Sequence, residues 1–591
     1  MESNNRPAPT SNDSSETQPQ SCLEHALPVS RASCLTFGTG GYDRMTSTNR
    51  AFGEWHTLTQ LGLGMITVAM LCCSTLAKEH ERKPNILFIF SDDLSYRDLS
   101  SYGQEQFRTP NLDRLAMNGI RFTQAYSGSP ECAPSRGSLM TGMHMGHCRI
   151  RANTSVRGQD HLLSEDVTVA EVLKGAGYTT GFIGKWGIGL PGTEGAPDKQ
   201  GFDFSYGYYD QARAHGFFPH YLMRNGKPEP IPENYGFNMK RVNTYNGRPV
   251  DRLDDVKNIY DVHGHLVPDG VPVAASAKYS EDLFQDEALS FIKKNRDKPF
   301  FLYYATQLPH GPCITPDLGA FKDKPWDLKH KEWAAMLGHL DSGVGRMVDL
   351  MEQLEILDNT VIFFAGDNGY SQWGYFGRPL HEDDPLFKNK GPWPKGKFTS
   401  THEGGVRVPF FVYWKDKIKA GENDHLCALY DVLATAADLA GIIPPETDGI
   451  SFAPTLLARP NEQRTHEYLY WENGTFSPHA QSVRMNQWWA YCEHPSKPIM
   501  LYDISQDIAS RNDVAKDHPD IINRITQIFT EAHTDSEWYV NPGESKTQIA
   551  AKRRKAIASG GMQHSTRANT AHRGRTEQSP AGDDQKAAPE E

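Results

Sequence analysis

Pro84-Asn85-Ile86-Leu87-Phe88-Ile89-Phe90-Ser91-Asp92-Asp93 opens the globular part of a 591-residue chain and decides how the rest is read. From Ile86 to Phe90 the apolar residues run without alternation, the mark of a strand covered on both faces, and two acids stand at its end. Similar runs recur at Phe300-Phe301-Leu302-Tyr303-Tyr304-Ala305, Val361-Ile362-Phe363-Phe364-Ala365 and Val408-Pro409-Phe410-Phe411-Val412-Tyr413-Trp414. Helical patterns lie between them. The clearest spans Lys329 to Leu357, where Trp333, Leu337, Leu340, Val344, Met347, Met351 and Leu354 recur at spacings of three and four. Buried strands alternating with amphipathic helices predict an α/β fold over 84–455, a large, mostly parallel central sheet flanked by helices on both faces.

The texture changes past residue 455. Short strand candidates at 467–471, 481–484, 488–491 and 500–503 are separated by turns and followed by one helix, about Pro519 to Ala532. This predicts a smaller C-terminal antiparallel sheet plus helix over 456–544. From 545 to 591 the chain is polar and poor in aromatics, and a disordered tail is expected.

At the other end, residues 1–44 are rich in Ser, Asn, Thr, Gln and Pro and read as a disordered or misassigned leader. Met45 begins a stretch with the apolar run Leu61 to Cys73, short for a membrane span, then Thr75 and Ala77 in the −3 and −1 positions of a signal-peptidase site. A signal peptide over 45–77 is expected, with a mature start near Lys78 and no stable membrane span. A retained anchor fits the short run less well, and the residues before Cys72 and Cys73 make a poor lipobox. Export implies a periplasmic or secreted protein.

The formal charge of −12, from 61 Lys and Arg against 73 Asp and Glu, argues against nucleic acid as the main partner. An anionic small substrate remains compatible, because a local cluster of cations can reverse the field in one pocket. The nine cysteines form no CxxC pair or dense framework, so disulfides do not organise the fold.

Two strand candidates end alike, Ser91-Asp92-Asp93 and Gly366-Asp367-Asn368. Successive side chains on a strand point to opposite faces, so two adjacent oxygen ligands converge only where the strand has just ended. The C-terminal edge of an open parallel sheet is also where ligands bind. Asp92, Asp93, Asp367 and Asn368 together offer three carboxylates and an amide oxygen, a hard-cation set that suits Ca2+, with Mg2+ as runner-up and Zn2+ a poorer fit. Either pair alone reads equally well as a turn or a helix cap.

The third element is Glu131-Cys132-Ala133-Pro134-Ser135-Arg136-Gly137-Ser138-Leu139-Met140-Thr141-Gly142. Here the chain resembles the sulfatase family of the alkaline phosphatase superfamily, whose signature is C-x-P-S-R followed by a short helix ending near T-G. The resemblance implies that Cys132 is oxidised by a formylglycine-generating or other sulfatase-maturing enzyme to formylglycine, an aldehyde that hydrates to a geminal diol. One hydroxyl, on the metal together with the aspartates, attacks sulfur and expels the alcohol. The second drives out sulfate and regenerates the aldehyde. Pro134 suits the first turn of a helix whose N-terminus favours an anion. Arg136 can donate to the diol or hold the metal-site carboxylates.

Further matches run from Pro84 to about Trp538. Gly177 to Trp186 resembles the second sulfatase signature, which places Lys185 on the sulfate oxygens. The chain then departs from the family, with Gly187 where a histidine that assists breakdown of the sulfated enzyme is usual. His215, or His144 or His147 past the nucleophile helix, are the candidates to replace it. Tyr304 to Pro312 resembles the segment carrying a sulfate-facing histidine, here His310. Lys395 to Pro409 resembles the loop with the second sulfate lysine, here Lys397, with one residue more between Lys397 and Glu403 than many members have. His310 and Lys397 are also candidates to protonate the leaving oxygen. Asp210 to His220 interleaves aromatics with His215 and His220 and reads either as the lining of a sugar pocket, His215 near the leaving group, or as an ordinary packed loop.

The expectation is a calcium-dependent sulfuric ester hydrolase acting on a sulfated polysaccharide or glycosaminoglycan fragment. The alternatives are a phosphodiesterase or phosphonate monoester hydrolase of the same superfamily, some of which share C-x-P-S-R, and a noncatalytic carbohydrate-binding protein.

Overall fold

A computed structural model describes residues 82–234, 277–311, 313–371, 384, 386–393, 395–398, 403–472, 475 and 477–559, with two short strands at Thr244–Tyr245 and Arg248–Pro249. The expected leader, the signal peptide and the end of the tail from 560 lie outside the described residues.

Ten strands form the main sheet. From one edge they are Gly421–Asn423, Ile120–Phe122, Phe410–Trp414, Thr360–Gly366, Asn85–Asp92, Phe300–Pro309, Thr179–Lys185, Phe204–Tyr208, Tyr221–Arg224 and Lys227–Pro230. The five from Thr360–Gly366 to Phe204–Tyr208 are mutually parallel and make the centre. The Phe410–Trp414 run reads like the central ones but lies antiparallel to Thr360–Gly366. Continuous burial marks a strand as covered without encoding its direction.

Alternation divides the core. Leu87, Ile89, Leu302, Tyr304, Ile362 and Phe364 face the layer containing helices Pro110–Asn118, Ser280–Asn295 and Leu328–Gln353. Ile86, Phe88, Phe90, Phe301, Tyr303 and Phe363 face the layer of Cys132–Thr141, Val169–Gly175 and Asp431–Leu439. The period of two therefore assigns each residue its layer. Among the described residues no helix is long and apolar enough to cross a membrane.

The C-terminal antiparallel sheet comprises Leu469–Glu472, Gln481–Met485, Trp488–Cys492 and Met500–Asp503. One face packs Tyr470, Val483 and Leu501 against Ile525, Ile528 and Phe529 of helix Pro519–Glu531. The other sets Leu469, Trp471, Trp489 and Tyr502 against Tyr126, Val406 and Tyr430 of the larger part, so one apolar cluster joins the C-terminal sheet to the larger part.

One expectation is corrected. A helix occupies Lys546–Ala558, where the sequence predicts tail. Its capping box closes reciprocally: the Gln548 N–H donates to Ser545 Oγ at 3.3 Å, and the Ser545 N–H to Gln548 Oε1 at 2.9 Å. Lys552 then donates to the carbonyls of Ser536 and Tyr539, both at 2.7 Å. The helix is held by its cap and by hydrogen bonds, with only Ala556 buried, so no apolar stripe announces it.

Candidate active site

The ends of adjacent parallel strands bring the first pair of acids to the second. Asp92 closes the Asn85–Asp92 strand. Asp93 follows at φ 62°, a left-handed conformation that aspartate tolerates better than most residues. That turn breaks the alternation that would otherwise send the two carboxylates to opposite faces. The Asp93 N–H donates to Asp367 Oδ1 at 3.0 Å, and Asn368 Nδ2 donates to Asp93 Oδ1 at 2.9 Å. All four side chains are buried.

Cys132 is the first residue of a helix buried along its whole length. Pro134, in that first turn, lacks an N–H at a place where helices have no internal acceptor for one. The Ala133 N–H goes to Asn153 Oδ1 at 2.9 Å. Glu131, just before the helix, accepts from the Asn153 N–H at 2.9 Å and from Thr475 Oγ1 at 2.8 Å, which ties the C-terminal part to the residue preceding Cys132.

Arg136, one turn on, is fully buried. Its guanidinium donates to the Lys185 carbonyl at 2.7 Å and to Asp367 Oδ2 at 2.9 Å, lies 3.8 Å from Asp92 Oδ1, and stacks 5.2 Å from the Phe90 ring centroid. Lys185 Nζ binds Asp92 Oδ2 at 2.5 Å. Lys397 Nζ bridges Asp93 and Cys132, 3.1 Å from the sulfur. His310 Nε2 lies 3.4 Å from Asp93 Oδ2. His215 Nε2 lies 3.5 Å from Lys185 Nζ, with its ring stacked on His310 at 4.1 Å and 2°. All ten residues expected from the sequence to form the site thus converge in one cluster. His144 and His147 do not. They stack on each other at 4.3 Å and pair with Asp448, past the far end of the ten-residue helix, about 15 Å of axial rise from Cys132. Their expected part in the chemistry is therefore withdrawn.

The carboxylates respond unequally to this crowd of cations. Burial pushes Asp92 up, but Lys185, His310, Arg136 and Lys397 outweigh it and hold the group well below the usual carboxylate range. Asp93 is also lowered, burial being more than offset by Lys397 and His310. Asp367, buried and repelled by Asp92, rises to about 7 despite Arg136. Burial pushes the Cys132 thiol up to about 12, against Lys185 and Lys397. As encoded, residue 132 is a thiol that burial keeps protonated at neutral pH.

The donor set fits a hard divalent cation. Among the described residues, Asp92 Oδ1 and Asn368 Oδ1 are buried oxygens with no hydrogen-bond donor. His310 donates from Nδ1 to the Gly311 carbonyl at 2.5 Å, so its neutral Nε2 presents a lone pair to Asp93 Oδ2, two acceptors face to face. Asp92, Asp93, Cys132 and His310 each bring a ligand atom within 4.8 Å of the others. The donors are mostly oxygens, the set a hard cation prefers.

The Asp210 to His220 segment, whose sequence reads as a candidate sugar-pocket lining, also brings the buried side chain of Gln211 against Gly187. Nothing local marks Gln211 itself, and only the crossing of two chain segments brings it there.

A family model described as Sulfatase matches residues 84–442. The chain is 29% identical over 514 residues to an N-acetylgalactosamine-6-O-sulfatase of Bacteroides thetaiotaomicron, covering 77% of this chain and 94% of that protein. It is 33% identical over 404 residues to arylsulfatase A of Homo sapiens, covering 66% and 71%. A crystal structure of Ps i-CgsB in complex with k-i-k-neocarrahexaose superposes with a TM-score of 0.60 at 26% identity, over 83% of this chain and 99% of that one. With its sheet, its strand-end acids and a family match over well more than half its length, this chain belongs to the sulfatase family and is a sulfuric ester hydrolase.

Proposed function

We propose that the enzyme hydrolyses a sulfate ester on a sulfated polysaccharide or glycosaminoglycan fragment, with residue 132 as nucleophile after oxidation to formylglycine by a maturing enzyme. The observation that carries this reading is the seat of Cys132, at a buried helix N-terminus with Lys397 at 3.1 Å and the paired acids beside it. The sugar sulfate in the name of the bacterial relative supports the substrate class. Asp92, Asp93, Asp367 and Asn368 would hold Ca2+. Formylglycine would supply a hydrated aldehyde as the oxygen nucleophile, and Ca2+ would offset charge on the attacking and sulfuryl oxygens, worth about several kcal/mol of barrier.

The chain's own residues do the rest. Lys185 and Lys397 bring fixed positive charge to the sulfuryl oxygens, and Arg136 holds Asp367 and the Lys185 strand end in register. Lys397 keeps its proton: burial favours losing it, but Asp93 and the neighbouring acids outweigh that. Burial lowers His310 to about 4 against Asp93 and Asp92, so it is neutral at pH 7. Lys397 is therefore the proton donor available to the leaving oxygen in the free enzyme, and His310 an acceptor. The catalytic part runs from 84 to 455 and the C-terminal part from 456 to 544, in an exported, periplasmic or secreted protein.

The test is purified enzyme with its formylglycine content measured by intact mass, assayed on matched aryl sulfates and aryl phosphate diesters and then on defined sulfated sugars. Sulfate turnover that is lost on chelation and restored by Ca2+ better than by Zn2+ is expected. Preference for the phosphate diester, or indifference to chelation, refutes the reading.

A further inference from the structure

Gln211 sits where a side chain at position 187 would lie. Gly187 follows Lys185 by two residues, at φ 79°, a left-handed value that favours glycine. A Cβ placed on it would lie 2.3 Å from Gln211 Oε1 and 3.7 Å from Arg136 Cδ. The space beside Arg136 that a side chain at 187 would enter is thus filled by an amide arriving from the 210–215 turn.

That amide is unpartnered among the described residues. Gln211 is 6% exposed, and neither Oε1 nor Nε2 has a hydrogen-bond partner there. Its backbone, by contrast, is fixed. The Gln211 N–H donates to Gln159 Oε1 at 2.9 Å, and Asp210 Oδ1 accepts from the Ala212 and Arg213 N–H groups at 2.7 and 2.9 Å. The same turn delivers His215 to Lys185. A buried side-chain amide bare at both ends on a pinned backbone is disfavoured unless a polar group comes to meet it.

We propose that Gln211 is a substrate-contacting residue, its amide hydrogen-bonding the sulfuryl oxygens of the bound ester beside Arg136 and Lys185. This rests on the sulfate-ester reading above. Nε2 donates to a sulfuryl oxygen, and Oε1 accepts from a hydroxyl of the substrate or nucleophile. His215 and Gln211 then form one recognition turn.

The experiment compares wild type, Gln211→Leu and Gln211→Glu, all with measured formylglycine content, in kcat/KM on an aryl sulfate, inhibition by inorganic sulfate, and Tm. Leucine is expected to lower kcat/KM about 10- to 100-fold, the worth of one hydrogen bond to a charged group, and to weaken sulfate inhibition by a similar factor. Its Tm should stay level or rise, because the wild-type amide has no partner in the free protein to lose. Glutamate, adding like charge, should lose more. Unchanged kcat/KM and sulfate inhibition in Gln211→Leu overturn the proposal. So does a fall in activity with a lowered Tm and wild-type sulfate inhibition, which marks a packing role. Wild type that cleaves phosphate diesters but no sulfate ester brings down the underlying reading, and this proposal with it.

Discussion

At the scale of single residues, the proposed nucleophile, residue 132, makes the sharpest demand. Cys132→Ser, produced in a host whose maturing enzyme oxidises only cysteine, keeps one hydroxyl at the site. The serine oxygen can attack sulfur and the alcohol can leave, but no second hydroxyl is present to expel sulfate as a carbonyl forms. At most one turnover is expected, and intact mass should show one sulfuryl group retained on the variant. Sustained turnover would rule out the mechanism. Lys397 and His310 can be told apart by leaving group. Lys397→Ala should lose about 100- to 10,000-fold on alkyl sulfates and much less on aryl sulfates, whose leaving oxygen needs little protonation. His310→Ala, removing a neutral group, should lose similarly on both. An equal deficit for Lys397→Ala on both classes would assign it to sulfate binding alone. The convergence of these residues was legible because each lies in a short motif of unusual composition. Gln211 was not, because its place depends on where a turn 24 positions past Gly187 happens to cross.

At the scale of elements, the nucleophile helix ends in a loop whose buried histidine couples folding to pH. Burial pushes His144 down to about 4, against the pull of Asp448. Its unfolded value is near 6.5, so between about 4 and 6.5 the unfolded chain binds a proton that the folded protein refuses. Stability from this group is complete above that window and is lost as pH falls through it, by up to about 3 kcal/mol. His144→Asn retains an acceptor for the Gly146 N–H, which His144 Nδ1 now accepts at 3.2 Å. The variant should show a shallower loss of urea midpoint between pH 7 and pH 5 than wild type; an identical slope would clear His144 of the role. The long helix Leu328–Gln353 was legible from its apolar period, ending four residues before the reading placed it. Helix Lys546–Ala558 is not legible in composition because it buries no apolar stripe, and its local signal is the Ser545 and Gln548 capping box.

At the scale of the molecule, the C-terminal sheet shares an apolar cluster with the larger part. Trp471 stacks on Trp489 at 5.3 Å and lies tilted against Tyr126 at 5.5 Å, and its Nε1 donates to the Ser127 carbonyl at 2.9 Å. Glu131 and Thr475 extend that seam to the residue beside the nucleophile. Trp471→Ala should cost about 3–5 kcal/mol and lower the single transition of both parts together. Two separated transitions, with only the C-terminal part shifted, would show that the sheets fold independently.

The sequence by itself determined the central strands, the acids at their ends, the nucleophile motif and the lysine and histidine candidates, because apolar period and strand-end chemistry are local properties. Tertiary structure alone decided the direction of the Phe410–Trp414 strand, the seam between the sheets, the exclusion of His144 and His147, and the amide of Gln211 beside Gly187. Each of these depends on how segments far apart in the chain pack against one another, which no window of sequence contains.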